Sequence, residues 1–505
     1  MESTIFSKYL QSAQRIDPIK CAGKVIKVHG LLIESLGPSA IIGEICRIIA
    51  PKSGGEIKAE VVGLKNEIVQ LMAFHETYGI EIGDRVIATG NCLEVPVCDN
   101  LLGRVLDAFG NPIDGKGDID AVAMYPALAN APDPLKRKRI TERITTGIKA
   151  IDGLLATGKG QRHGIFAGSG VGKSTLLGMI ARYTTADVNV VALIGERGRE
   201  VNDFIEYDIG AEGLKRTVLI VTTSNTPPLA RLRGAYVATA VAEYFRDQGL
   251  NVMLLFDSVT RVARAIREIG LATGEFPAQR GFPPSMFDSL PKLLERSGTS
   301  DKGSITGFYT ILVDGDDLEE PVSDTVRGIL DGHINLSRDL AQASHYPPID
   351  ILSSISRLAP KIAGSSSQKA AGIIRRNMAA YSRSEVLINV GAYRPGTNPE
   401  TDQAIAMHNP IEDFLLQDMN EASSLEDTLT WMSEITGIEI PQDEMSDENP
   451  KLASAVSSLR TEKLPKKAND NTGGAAEADQ VAMAINSVSS FFGSFANSEN
   501  INEEV

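Results

Sequence analysis

Gly164-Ile165-Phe166-Ala167-Gly168-Ser169-Gly170-Val171-Gly172-Lys173-Ser174 is the stretch that decides the fold. An apolar strand runs into a glycine-rich turn, and the turn opens a helical run, Thr175-Leu176-Leu177-Gly178-Met179-Ile180. Strand, loop and helix in that order are what a phosphate-binding loop requires. Glycines let backbone N–H groups converge on phosphate oxygens, and the helix N-terminus adds the positive end of its dipole. Gly168, Ser169, Gly170, Val171, Gly172, Lys173, Ser174 and Thr175 are therefore expected to hold the phosphates of a nucleotide. Lys173 bridges the β- and γ-phosphates in this reading, and the Ser174 hydroxyl ligates Mg2+. Ala167 stands where the strict pattern has glycine, so the flanking strand and helix carry the argument.

Phosphate hydrolysis needs two further groups, and both lie at strand ends downstream. Met253-Leu254-Leu255-Phe256-Asp257 is an apolar strand ending in an acid, placed to hold Mg2+ through its water shell. Val190-Val191-Ala192-Leu193-Ile194 runs into Gly195-Glu196-Arg197-Gly198-Arg199-Glu200. Glu196 at such an edge polarises an attacking water, and Arg197 offsets charge developing on the γ-phosphate.

Around these motifs, from about Gly147 to Ser356, strand candidates Val188 to Ile194, Thr217 to Val221, Val252 to Phe256 and Ile305 to Val313 alternate with helices such as Ser174 to Tyr183 and Ala235 to Gln248. Strands apolar throughout, alternating with helices, predict an α/β fold with a parallel sheet buried on both faces. Before it, Lys24 to Val28, Ala59 to Leu64, Ile68 to Met72 and Arg85 to Ala88 are short β-rich runs broken by turns, which suggests a small closed barrel. After it, Lys369 to Ile440 is mainly helical by its apolar spacing, as at Phe414, Leu415 and Met419. Expected boundaries are 1–22 for an amphipathic N-terminal segment, 23–95 for the barrel, 96–368 for the nucleotide-binding domain, 369–440 for the helical domain and 441–505 for a polar linker and tail.

At 505 residues and 42% hydrophobic, the chain is too long for one core and too apolar for general disorder. Its net charge of −15 argues against coating nucleic acid. Neither a basic-then-apolar leader nor a run of ~18 apolar residues is present, so a soluble, non-secreted protein is expected. Cys21, Cys46, Cys92 and Cys98 lack metal spacing and read as reduced packing residues. Ile5, Phe6, Tyr9 and Leu10 recur at helical spacing, as do Val481, Ile485, Val488 and Phe492. The first stripe is read either as a helix that docks on a partner or a membrane surface or as a first helix packed on its own domain, and the second either as a partner-binding helix or as a disordered tail.

Leu102-Gly103-Arg104-Val105-Leu106-Asp107-Ala108-Phe109-Gly110-Asn111-Pro112-Ile113-Asp114-Gly115, the phosphate loop, Gly195-Glu196-Arg197 and Pro347-Pro348-Ile349-Asp350-Ile351-Leu352-Ser353-Ser354-Ile355-Ser356-Arg357 together resemble the α/β subunit family of rotary ATP synthases. Leu135-Lys136-Arg137, Ala150-Ile151-Asp152-Gly153-Leu154-Leu155 and Gly281-Phe282-Pro283-Pro284-Ser285 are similar, within that family, to the type III protein-export ATPases, above all the flagellar one. The resemblance covers about residues 20 to 440. It implies a RecA-like core, ATP and Mg2+ as cofactors, and a homohexamer in which Arg357 is an arginine finger reaching the neighbouring subunit's γ-phosphate. It also implies that Tyr346 stacks on adenine.

Further implied partners are a stator-like regulatory protein at the N-terminus, a central stalk protein, export chaperones and the export gate, with a cytoplasmic location peripheral to the membrane. Non-catalytic subunits of the rotary synthases carry Gln where this chain has Glu196, which points to a catalytic subunit. Thr226 precedes Pro227-Pro228 where the rotary catalytic subunit has an acid, a departure that favours export over ion translocation. An injectisome ATPase and a rotary catalytic subunit stay open as alternatives. A hexameric RNA helicase is disfavoured, because Phe74 and Tyr78 are the only aromatics between Gly23 and Leu93, and a single-strand groove needs more.

Overall fold

The computed structural model describes residues 22–445 except 54, 314, 316 and 318. Both amphipathic stripes, Cys21 and all but the first residues of the polar tail lie outside the described residues.

Ala22–His29, Leu32–Leu36, Glu44–Ala50, Gly55–Lys65, Ile68–Ala73 and Arg85–Cys92 close into a barrel. Val25, Ile33, Ile48, Val61, Leu71 and Val86 fill it. Two of these strands, Leu32–Leu36 and Glu44–Ala50, were not anticipated from the sequence, because polar residues take inward positions in both. Ser35 and Glu44 are buried there and satisfied by backbone: the Ser35 hydroxyl donates to the Gly37 carbonyl at 2.6 Å, while Glu44 accepts from the Ile41 and Gly90 amides at 3.0 and 2.7 Å.

The central sheet runs in the order Ile349–Ser356, Gly332–Leu336, Arg162–Ala167, Ser304–Leu312, Asn251–Asp257, Val188–Glu196, Thr217–Thr223, Val105–Leu106. Neighbours are parallel except the first pair, where Ile349–Ser356 lies antiparallel to Gly332–Leu336. Continuous apolar runs follow from burial on both faces. Along one strand Val190, Ala192 and Ile194 join the core on one side while Val191 and Leu193 join the core on the other. The helix Pro228–Asp247 covers the first face with Ala235, Ala238 and Val241. Residues of the helices Pro399–Leu415 and Leu425–Thr436, among them Phe414, Leu429 and Met432, pack into the second.

The helical region holds Ser365–Asn389, Pro399–Leu415 and Leu425–Thr436. Met419 does not continue the stripe of Phe414 and Leu415, because the helix ends at Leu415 and leaves Met419 half-exposed in the following loop. Cys46, Cys92 and Cys98 are free thiols, and burial followed by the nearby Glu44 charge pushes Cys46 up to about 12. Phe74 is buried and stacked on Phe109 with ring centroids 4.1 Å apart, so it joins barrel to core and faces no groove.

Candidate active site

The loop Gly168–Gly172 leaves the end of the strand Arg162–Ala167 and enters the helix Lys173–Tyr183. Gly172 caps that helix with φ +89°, a left-handed conformation that a side chain would strain, and no side chain caps the first turn. Its first N–H groups are thus available to an anion, and the dipole adds to the attraction. Ser169, Gly170 and Ser174 are exposed at this mouth.

Lys173 is the hub. Its side chain is only 11% exposed, and Nζ lies 2.5 Å from Asp257 Oδ1 and 3.9 Å from Glu196 Oε1. Adjacent parallel strands bring the two acids together, since Leu193 of one strand pairs with Asp257 of the next. Asp257 is buried, and its Oδ1 also accepts from the Thr310 hydroxyl at 2.8 Å. Glu196 is the strained member of the set. Burial, then repulsion from Asp257, pushes its carboxyl up to about 7, with Lys173 partly offsetting them. Glu196 Oε1 is buried without a hydrogen-bond partner among the described residues.

Two residues of this site were not read from the sequence. Glu200 shares a hydrogen bond with Glu196; burial acts to raise its carboxyl, but that bond and Arg197 outweigh it, so Glu200 lies below its ordinary range. Its signal was spacing, four residues on from Glu196 at the first turn of the helix Gly198–Asp203. Arg261 packs its side chain against Gly195, and its Nε is buried without a partner. It follows the strand-end acid by one turn of the helix Val259–Thr273, a position legible only once the strand end is known.

Arg197 is not brought to the cluster. Its guanidinium side chain is 78% exposed and bonds Glu200 Oε1 at 3.1 Å, because it stands at the helix cap and points outward, and Arg261 holds the inward place. Tyr346 is 49% exposed and lies beside the loop, its ring 3.7 Å from where a Cβ on Gly172 would stand. Its carbonyl accepts from the Gln417 amide at 2.9 Å, and Gln417 Nε2 donates to the Gly147 carbonyl at 2.8 Å, so the helical region braces it.

Arg357 is far from all of these. It follows Ser356, which pairs with Gly332, which pairs with His163 at the start of the strand that ends in the phosphate loop. Five residues of strand at about 3.3 Å each separate it by about 16 Å along the strand direction from its own loop, at the opposite end of the sheet. Its guanidinium is exposed there and donates to the Arg327 carbonyl at 3.4 Å.

Among the described residues no three His, Cys, Asp or Glu side chains gather as a metal site. The donor set at the loop, one exposed hydroxyl and one buried carboxylate, instead fits a Mg2+ whose remaining ligands are phosphate and water.

Family comparison agrees with this geometry. Residues 147–356 match the nucleotide-binding domain of the ATP synthase alpha/beta family, 25–90 its beta-barrel domain, and 363–434 the T3SS EscN ATPase C-terminal domain. The flagellum-specific ATP synthase of Treponema pallidum (strain Nichols) is 56% identical over 442 residues, covering 88% of this chain and 99% of that protein. The assembled ATPase EscN of the enteropathogenic E. coli type III secretion system superposes with TM-score 0.78 at 45% identity, over 82% of this chain and 100% of that one. EscN in complex with its central stalk EscO gives TM-score 0.76 at 44% identity, over the same shares, 82% and 100%. The chain therefore belongs to the ATP synthase alpha/beta family, in the branch that holds the flagellum-specific ATP synthases and the type III secretion ATPases.

Proposed function

We propose that the chain hydrolyses ATP to energise type III export of flagellar proteins, releasing substrates from chaperones and delivering them to an export gate. The single observation that carries the reading is Lys173 held between Asp257 and Glu196 at the uncapped start of the phosphate-loop helix. Lys173 offsets the charge that builds between the β- and γ-phosphates. Glu196 orients the attacking water and accepts its proton, which its carboxyl is suited to do near neutral pH. Ser174 and Asp257 hold Mg2+, which when bound supplies neutralisation of the phosphate oxygens. Tyr346 offers its exposed ring to adenine.

Assembly completes the site. EscN is described as assembled and as bound to a central stalk. By that likeness this chain forms a homohexamer around a stalk protein, with Arg357 acting on the nucleotide of the adjacent subunit. A stator-like partner at the N-terminus and a cytoplasmic place beside the membrane rest on the family resemblance. The flagellar reading is supported over the injectisome one by 56% and 52% identity to two flagellum-specific relatives against 48% to a type 3 secretion system ATPase.

The test separates binding from chemistry. Lys173→Ala abolishes turnover, while Glu196→Gln keeps nucleotide affinity and loses about 10²-fold or more in phosphate release. Wild-type turnover in Glu196→Gln removes that residue from the mechanism. Export of flagellar subunits by cells whose only copy is Lys173→Ala would overturn the export role.

A further inference from the structure

Arg357 stands one residue past the end of an edge strand. That strand, Ile349–Ser356, has a sheet neighbour on one side only, Gly332–Leu336, and the last pair between them is Ser356 with Gly332. Beyond the pair, the Arg357 N–H donates to the Asp331 carbonyl at 2.9 Å. A strand end held from one side is where a sheet opens most easily, so whatever else fixes this end governs where the guanidinium can reach.

The fixing group comes from two strands away. Gln161 directly precedes the strand Arg162–Ala167, whose far end is the phosphate loop. Its side chain is completely buried, and Oε1 accepts from the Gly158 amide at 2.9 Å, which turns Nε2 the other way. Nε2 donates to the Ser356 hydroxyl at 3.0 Å and to the Asp331 carbonyl at 3.3 Å. One side-chain amide thus meets both the residue before Arg357 and the carbonyl that Arg357 itself bonds. Ser356 Oγ in turn donates to the Ala156 carbonyl at 2.8 Å, a second tie to the same segment. Arg162 steadies Asp331 as well: its carbonyl accepts the Asp331 N–H at 2.9 Å, and its amide and Nε each donate to the Asp331 carboxylate at 3.1 Å. Of the two residues, Gln161 also holds the edge strand.

We infer that Gln161 is a positioning residue for the reaction in the adjacent subunit: it fixes the root of Arg357 to the base of the phosphate-loop strand. The inference rests on the reading of Arg357 as acting on the neighbouring nucleotide. Gln161 lies at the end of the sheet opposite its own phosphate loop, so its loss leaves its own Lys173 and Glu196 in place and displaces the arginine offered to the next site. A displacement of about 1 Å at a reacting centre costs on the order of 10²-fold in rate, so chemistry suffers more than binding.

Steady-state ATPase measurements on the full chain test this with Gln161→Met, Ser356→Ala, Arg357→Ala and the double variant Gln161→Met with Arg357→Ala, below and within the concentration range where light scattering shows rings. Gln161→Met keeps the length of the side chain and loses its donors. Within the ring range it is expected to lower kcat by about 10- to 100-fold with KM changed by about two-fold or less. Below that range no arginine is in reach of a neighbour, so its residual turnover should equal that of wild type. In the Arg357→Ala background the same change should cost about two-fold or less, because the group it positions is already gone. A role confined to its own fold or its own site would slow the protein in both concentration ranges and in both backgrounds, and that result overturns the inference, as does a normal kcat within rings. Should Gln161→Met fail to fold or to form rings, Ser356→Ala, which removes the hydroxyl that Gln161 holds, decides by the same criteria. Wild-type turnover of Arg357→Ala within rings would sink the reading of Arg357 and this inference with it, whereas a slow Arg357→Ala beside normal Gln161→Met and Ser356→Ala sinks only the role of Gln161.

Discussion

Burial, then repulsion from Asp257, raises the Glu196 carboxyl to about 7, while Glu200 beside it is lowered. A general base must be ionised before it can accept a proton, so hydrolysis should fall as pH drops through about 7. The bond from Glu200 favours protonated Glu196, so Glu200→Gln should move the acidic limb of the kcat profile to lower pH. Rate measurements from pH 5.5 to 9, roughly the range over which a carboxyl near 7 titrates, would check it; a limb unmoved in Glu200→Gln would separate the two residues. At this scale most of the site was legible in advance, because Lys173, Glu196 and Asp257 each sit where a local pattern ends: a glycine turn or an apolar run. Arg197 misled for the same reason. Adjacency in sequence places it beside Glu196, but the chain turns into a helix at that residue and throws its side chain to solvent. Arg261 was hidden because its neighbour Gly195 belongs to another strand end.

Among the elements, one buried ion pair joins barrel to core. Arg233, on the helix Pro228–Asp247, holds Glu60 of the barrel strand Gly55–Lys65 with two hydrogen bonds, Nε to Oε2 at 2.6 Å and Nη2 to Oε1. Both side chains are nearly out of water, so Arg233→Ala strands a buried carboxylate and should cost about 3 to 5 kcal/mol in urea unfolding. The double change Glu60→Leu with Arg233→Met removes both charges and should be far milder. Equal losses in the two proteins would mean that packing, not charge, governs this contact. The parallel strands were legible as apolar runs because each feeds two cores, so almost no residue interrupts the pattern. The barrel was only partly legible, since Ser35 and Glu44 point inward and their partners, such as the Gly90 amide, are set by closure between distant strands. Periodicity cannot report a bond of that kind.

Over the whole molecule, the decisive fact is that the phosphate loop and Arg357 occupy opposite ends of the sheet. One subunit cannot bring them together, so activity per subunit should rise with protein concentration as rings form. Arg357→Ala should flatten that rise, with turnover reduced by about 10³-fold or more and nucleotide binding kept. Concentration-independent activity in wild type, well below the range where rings are seen by light scattering, would make each monomer self-sufficient. The placement also has a genetic consequence. On the proposed roles, a subunit defective at Lys173 would spoil the site it owns, whereas one defective at Arg357 would spoil the site next door and leave its own chemistry whole. In a cell that makes normal and altered chains together, an Arg357 defect should therefore be inherited by healthy neighbours. Two alleles, one dead at each position, should complement wherever a subunit with an intact loop happens to sit beside one with an intact arginine.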